Sequence, residues 1–365
     1  MATVFAASGP SKSVGAVYAL TNGTAGNAVG VWDRAKDGTL TFNKTVSTGG
    51  LGIGDGPDTE GLQSQGALIL GKNNKFLYAV NAGSDNITVF KVDHSDLSVV
   101  QTITSYGHRP ISLTISGKLL YVLNFDRLAV TPDTGSIYGY TIGTDGKLSP
   151  IAGSTLALPS AGLNPGQIAF SPDGKEMAMT AKATNQLFLF KVEKSGIVDK
   201  PTGHPTAGTF PFSLAYAGKS TIVVADDFDD VAGAGAASSY IAGSDLSLKL
   251  ISGAIPNHQD GTCWVVTTPG GKFAFVDNTN NSVVSGYSIG KDSSLKLLSA
   301  SGKTGTSGGV KPRDMVLANN GKLLYTLNSV PGSVSAFSVN KDGSLGLIGT
   351  VSGITGPGCN GLAAR

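Results

Sequence analysis

Gly117–Asn124 reads GKLLYVLN, and Gly321–Asn328 reads GKLLYTLN. Looser copies of the same phrase stand at Lys75–Asn81 (KFLYAVN), Gly174–Thr180 (GKEMAMT), Gly218–Asp226 (GKSTIVVAD) and Gly271–Asn278 (GKFAFVDN). After most copies comes a second alternating segment, such as Ile87–Val92 (ITVFKV), Leu187–Val192 (LFLFKV), Val283–Ile289 (VVSGYSI) or Val334–Val339 (VSAFSV). Alternation with period two is a strand signal. Four short strands in every stretch of roughly 50 residues mark the blade of a β-propeller.

Working outward from these phrases gives an all-β, seven-bladed β-propeller with four antiparallel strands per blade, forming one domain over residues 1–365. Strands are lettered A to D from the central channel outward. Blade 2 reads most cleanly: A at Ala67–Gly71, B at Phe76–Ala82, C at Ile87–Val92 and D at Leu97–Ile103. Later blades start near His108, Asn164, Phe210, Thr262 and Lys311. The N-terminal blade has B (Ala16–Thr21), C (Ala28–Arg34) and D (Leu40–Ser47) but lacks an A strand. Asn360–Arg365 is a surplus A-like segment, so the C-terminal strand is expected to join the N-terminal blade and close the ring. Closure removes the two open sheet edges that a linear array would leave.

Composition agrees with that architecture. Charged residues are 14% of 365, Gly numbers 51, and the net charge is +2 with no contiguous basic cluster. Nucleic acid and membrane are therefore not expected partners, and a monomer acting on a small molecule is. Sequons occur at Asn22, Asn43, Asn86 and Asn280. With a Ser- and Thr-rich, weakly charged surface they point to secretion, although Met1–Val17 has no basic n-region or apolar h-region. Chance sequons in a cytoplasmic protein are the alternative. Cys263 and Cys359 lack metal-ligand spacing, and in an oxidising compartment they could pair.

Topology sorts the polar residues. In a four-stranded meander the D–A and B–C connections leave on one face, and the A–B and C–D turns on the other. The first face carries the long, varied loops, where binding usually sits. The ends of B strands bring Asn81, Asn124, Lys182, Asp226, Asn278 and Asn328 there. The D–A connections bring His108, Arg109, Gln167, His258, Trp264, Lys311, Arg313 and Asp314. Arginine at a channel mouth suits a carboxylate or a developing oxyanion, and histidine moves a proton near neutral pH. His108, His258, Arg313 and Asp314 are accordingly the catalytic candidates. Arg109, Asn81, Asn124, Gln167, Lys182, Asp226, Trp264, Asn278, Lys311 and Asn328 are the substrate-binding ones.

Each has a plainer structural reading. The Asn residues can cap B–C turns, and Arg313 can pair with Asp314. The acidic run Asp226, Asp227, Asp229 and Asp230 offers oxygens to calcium but reads more readily as a solvated loop, so no metal or other cofactor is expected. Gly49–Gly56 (GGLGIGDG) has no helix after it to make a phosphate cradle and reads as a lid over the mouth.

The phrases Asn81–Val92, Ile168–Lys175, Pro312–Val316 and Gly321–Asn328 resemble those of the seven-bladed lactonase family. That family takes in 6-phosphogluconolactonase-like propellers, fungal 3-carboxy-cis,cis-muconate lactonising enzymes and secreted carboxymuconate cyclase-like proteins. The resemblance implies a lactone or its open acid held at the channel mouth by His, Arg and Glu side chains, with no obligatory metal. None of the three glutamates, Glu60, Glu176 and Glu193, starts an inner strand, so Asp260, Asp314 or Asp226 would stand in. The expected function is lactone hydrolysis or cycloisomerisation of a polar lactone or hydroxy acid. A non-catalytic secreted propeller that binds a glycan or a protein is the rival class. A lyase or cyclase of a natural product on the same scaffold is a third reading.

Overall fold

The structure is a computed structural model that describes residues 13–55, 61–71, 73–126, 134–356 and 358–365. Seven antiparallel sheets follow one another around a ring, and the described residues contain no α-helix. Blade 1 holds Gly15–Leu20, Ala28–Arg34 and Leu40–Ser47 as strands B to D. Blades 2 to 7 open with A strands at Leu68–Leu70, Pro110–Ser116, Pro165–Phe170, Pro211–Ala217, Thr262–Thr267 and Val310–Ala318. In blades 3 and 6 the outer D strand is broken into two short pieces.

The missing A strand of blade 1 comes from the C-terminus. Leu362–Ala364 lies antiparallel to Gly15–Leu20, with Val17 opposite Ala364 and Ala19 opposite Leu362. Leu362 N also donates to Asp314 Oδ2 at 2.9 Å, tying the closing strand to blade 7.

The repeated phrase shows its physical purpose in the blade-to-blade contacts. Its Tyr is fully buried between sheets and donates its hydroxyl to a C–D turn carbonyl of the next blade. Tyr18 reaches His94 O at 3.3 Å, Tyr78 reaches Gly146 O at 2.9 Å, and Tyr325 reaches Gly38 O at 3.2 Å, across the ring closure. Tyr121 makes the same bond to Gly196. A buried hydroxyl needs such a partner, and this one is available only when the neighbouring blade is in register. Burial pushes the hydroxyls of Tyr18, Tyr78 and Tyr121 up to about 12, so they remain donors at any physiological pH.

The phrase's terminal Asn works on the other face. Asn81 accepts from Asn27 Nδ2 (3.0 Å) and Thr48 Oγ1 (2.7 Å) of blade 1, and donates to Thr88 Oγ1 (2.8 Å) of its own C strand. Asn278 accepts from Asn257 Nδ2 (3.0 Å) and Thr262 Oγ1 (2.6 Å) and donates to Ser285 Oγ at 2.9 Å. Asn328 is held the same way between Ser307 and Ser335, and Asn124 donates to Ser105 O at 3.1 Å. All four are buried, and these side chains fasten the D–A loops to the B and C strands.

The glycine-rich run expected to form a lid is packed instead. Within Gly49–Asp55, Gly52 N donates to Gly23 O (2.8 Å), Gly54 N to Asn22 O (2.7 Å), and Leu51 O accepts from Gly83 N (2.8 Å). A Cβ at Gly52 would lie 2.2 Å from the Asn22 backbone, so close approach of two chains is what demands glycine there. Gly56 and Glu60 lie outside the described residues.

Candidate active site

The segment leading into blade 2 decides where a ligand can sit. Gln65 N donates to Gly166 O of blade 4 (3.1 Å), and Ser112 Oγ of blade 3 donates to Gln65 O (2.6 Å). The Gln65 side chain bonds both Val265 O (3.0 Å) and Val265 N (3.2 Å) of blade 6. Ser64 O accepts from Trp264 Nε1 at 2.9 Å, and Gln63 O accepts from Lys182 Nζ at 2.7 Å. A segment bonded to inner strands on different sides of a ring must cross its interior. The chain itself thus fills the channel axis on this face.

Beside this plug, over blades 5 to 7, lies a cavity of about 150 Å³. Its floor is aromatic: Phe212 and Trp264, from successive A strands, lie 4.7 Å apart between ring centres at 53°. One wall is the blade 5 B–C loop, with Asp227, Asp229 and Asp230. The opposite wall is the start of blade 7, with Lys311 and Arg313. Thr279, Asn280, Cys263, Gln63 and Phe210 complete the lining. Phe228, Asp229 and Asp230 all have φ between 54° and 59°, a left-handed turn that L side chains adopt at a cost. Asn280 Nδ2 bonds Asp230 Oδ1 at 2.8 Å and helps hold that turn.

Asp227 is the group with the chemistry. It is 3% exposed yet lines the cavity, and Cys263 Sγ lies 3.7 Å from its Oδ1. Burial, reinforced by the charge of Asp230, pushes its carboxyl up to about 7, against smaller pulls from Cys263, a backbone N–H and the Lys182 ammonium. A carboxyl titrating near neutrality can take a proton from water and return it. Arg313 Nη1 pairs with Asp55 Oδ2 at 3.1 Å, and burial leaves its side chain 9% exposed.

The other expected residues fall in three groups. Arg313, Lys311 and Trp264 meet at the cavity. Arg109 does not: its Nε pairs with Asp126 at 3.0 Å, and it borders a separate small hollow between blades 3 and 4. His108 and His258 are exposed on outer loops, His108 with Nδ1 3.2 Å from Asp85 Oδ2. The remainder serve the fold. Gln167 Oε1 accepts from Leu214 N at 2.8 Å. Lys182 lies buried with its ammonium 4.5 Å from the centre of the Phe212 ring. Asp314 is buried with oxygens accepting from Met315 N (2.7 Å) and Leu362 N, and burial pushes it up to about 8. The Asn fasteners were described above. The two cysteines, whose pairing the sequence left open, are free and buried. Of the sequons, Asn43 and Asn280 are exposed, whereas Asn22 is buried and donates to Gly358 O at 3.1 Å.

Asp226 occupies the Asn position of blade 5, and its environment was built for an amide. Oδ2 accepts from Ser238 Oγ at 2.5 Å, and Oδ1 is buried with no partner among the described residues. Burial pushes it up to about 7. Such a group binds its proton more tightly folded than unfolded, so its contribution to stability is greatest below about pH 4 and is lost as pH rises to about 7. Asp226→Asn should therefore stabilise the protein by about 2 kcal/mol at pH 8 and by much less at pH 5. Melting temperatures of both proteins at the two pH values check this, and an equal gain at both would remove the charge argument.

Sequence reasoning selected Asp226 and passed over Asp227, Phe212, Cys263 and Asn280. The signal available was the DDFDD run, in which alternation places one of two adjacent acids on each side of the chain.

The sequence profile of the family described as "Lactonase, 7-bladed beta-propeller" matches residues 18–132 and 246–364, together well over half of the chain. The acidic loop of the cavity lies in the stretch between the two matched segments. Among solved structures, a 6-phosphogluconolactonase candidate from Bacteroides fragilis superposes with a TM-score of 0.72 at 18% identity, over 96% of this chain and 98% of that one. A protein from Lactobacillus plantarum gives 0.73 at 16%, over 97% and 100%. The periplasmic gluconolactonase of Pseudomonas aeruginosa gives 0.70 at 15%, over 95% and 99%. No curated protein matches the chain. At such identities the superpositions speak for the fold alone, and it is the profile match that settles kinship: the chain belongs to the seven-bladed β-propeller lactonase family.

Proposed function

We propose that the protein hydrolyses a small polar lactone in the cavity over blades 5 to 7, with Asp227 as the general base. Membership of the lactonase family supports a lactone-hydrolysing role, and the buried, near-neutral carboxyl of Asp227 at a cavity wall is the observation that carries the assignment. A lactone ring stacks on Trp264 and Phe212, as the apolar face of a cyclic polyol stacks on aromatic rings. Lys311 and Arg313 donate to the ring carbonyl oxygen, where negative charge develops. Asp227 takes a proton from the attacking water. It then delivers that proton to the departing ring oxygen, which gives the open hydroxy acid.

Arg313 offers the first test. Arg313→Ala should lower kcat/KM at least about 10-fold, and Arg313→Glu should lower it further by placing an anion where charge develops. Both lose the Asp55 pair and about 2 kcal/mol of stability, so specific activity must be scaled to the folded fraction. Full specific activity of the folded protein in both variants would take Arg313 out of the site.

A further inference from the structure

Six of the seven B strands begin within two residues after a lysine: Lys75, Lys118, Lys175, Lys219, Lys272 and Lys322. In sequence these are scattered single charges. The ring places all of them at A–B turns, near the axis of the face opposite the cavity, and all six are exposed. Lys175 pairs with Asp173 at 3.6 Å, and among the described residues the other five form no salt bridge. The aspartates of the C–D turns, such as Asp37, Asp145 and Asp342, stand further out and are bent back onto the N–H two residues on. Most of these outer turns also carry a lysine beside the acid, as at Lys36 and Asp37, Asp145 and Lys147, and Lys341 and Asp342, so the unbalanced positive charge of this face lies in the inner ring.

Two grooves open between blades on this face, and each repeats the same construction. Between blades 2 and 3, a groove of about 280 Å³ sets Lys75 and Lys118 beside Phe76 and Tyr78, with Asn73 and Thr144 as hydrogen-bonding groups. Between blades 6 and 7, a groove of about 370 Å³ sets Lys272, Lys322 and Lys341 around Phe273, with Thr268 and Asn340. Among the described residues no carboxylate lines either groove. Lys272 Nζ lies 4.8 Å from the Phe273 ring centre and donates to Lys341 O at 2.8 Å, so its charge is drawn into the groove.

We propose that this face binds an acidic polysaccharide, with well-separated anionic sugars of one chain seated in the two inter-blade grooves across the lysine ring. Ammonium groups meet the sugar carboxylates or sulfates, the part-exposed Phe76 meets a ring face in the first groove, and amide and hydroxyl groups meet the sugar hydroxyls. Two like grooves on one face suit a polymer, because weak sites joined by one chain act together. Among the described residues no arginine lines either groove, so the bidentate fork that favours phosphate is not offered there. The same enzyme would then be held by one face on a polymer while its other face stays open to lactones.

Polygalacturonate is the probe. The full-length protein should bind it at low salt, with affinity that falls as salt is raised. A Lys75→Gln, Lys118→Gln, Lys272→Gln, Lys322→Gln variant should bind about 10-fold more weakly or worse, with an unchanged melting temperature and unchanged lactone turnover. Lys147→Gln, Lys291→Gln, on the outer turns, should bind as the wild type does. Absence of binding by the wild type, equal binding by the fourfold variant, or competition by oligothymidylate as effective as by polygalacturonate would each overturn the proposal.

Discussion

Deleting Asn360–Arg365 should lower the melting temperature by about 10 °C or more and drive the protein toward aggregation. The segment forms the whole inner strand of blade 1. Beyond its ladder it brings Asn360 N to Leu20 O (3.1 Å), Arg365 N to Ala16 O (2.9 Å) and Arg365 O to Arg34 Nε (2.9 Å). It also supplies Leu362 N to the buried Asp314 carboxyl. Each such bond is worth about 1 kcal/mol, and exposing Leu362 and its neighbours adds about 2 kcal/mol. The sum is a large fraction of a typical domain's total stability of about 5–15 kcal/mol. The deletion leaves Gly15–Leu20, wholly buried in the closed ring, paired only with Ala28–Arg34 and open along its inner edge, the kind of edge that recruits other chains. Thermal melting with light scattering on the truncated protein measures both effects. An unchanged melting temperature would show that the ring does not depend on this closure.

Asp227→Asn should reduce kcat on any accepted lactone by at least about 100-fold while leaving the protein as stable as before or more so. The amide keeps the shape and the Cys263 contact but cannot accept a proton. The wild-type kcat/KM should rise with pH through about 7, because the base works only when ionised and burial has set its titration there. That limb should vanish in the variant, once the buffer rate of lactone opening is subtracted. Comparing an aldonolactone panel with both proteins at pH 5, 7 and 8 decides the matter. A variant with wild-type kcat, or a wild-type profile that falls with pH, would exclude Asp227 as the base. Because Asp226 sits one residue away with a similar titration but inside the sheet, Asp226→Asn is the natural control and should keep full activity.

The repeat was legible because a blade is a local object. Tyr in the middle of four of the seven B strands and Asn near the end of four recur at fixed positions, and the period of two reports which side of a strand each faces. The missing first strand and the surplus last one could be counted from the same grammar, which is why ring closure needed no coordinates. Residue type alone, however, does not separate an Asn that fastens two blades from one that awaits a ligand. Both sit at the end of strand B. Only the positions of Asn27, Thr48 and Thr88 around Asn81 show that its amide is already engaged.

What the tertiary structure alone decided was where the open space lies and which charges share it. The channel mouth is a reasonable expectation for any propeller, yet Gln63, Ser64 and Gln65 cross it, held by blades 3, 4 and 6. The cavity is displaced to blades 5 to 7, where Asp227 and Arg313, 86 residues apart in the chain, form opposing walls. Exposure was equally invisible: His108 and His258 have the right chemistry for proton transfer but stand out in solvent. The lysines before the B strands are isolated in sequence and become a ring only when six turns converge on one face. Sequence determines the repeating contacts, because they are made between neighbours of fixed spacing. Cavities, plugs and charge rings come from residues far apart in the chain, and their meeting is settled by the closure of the ring.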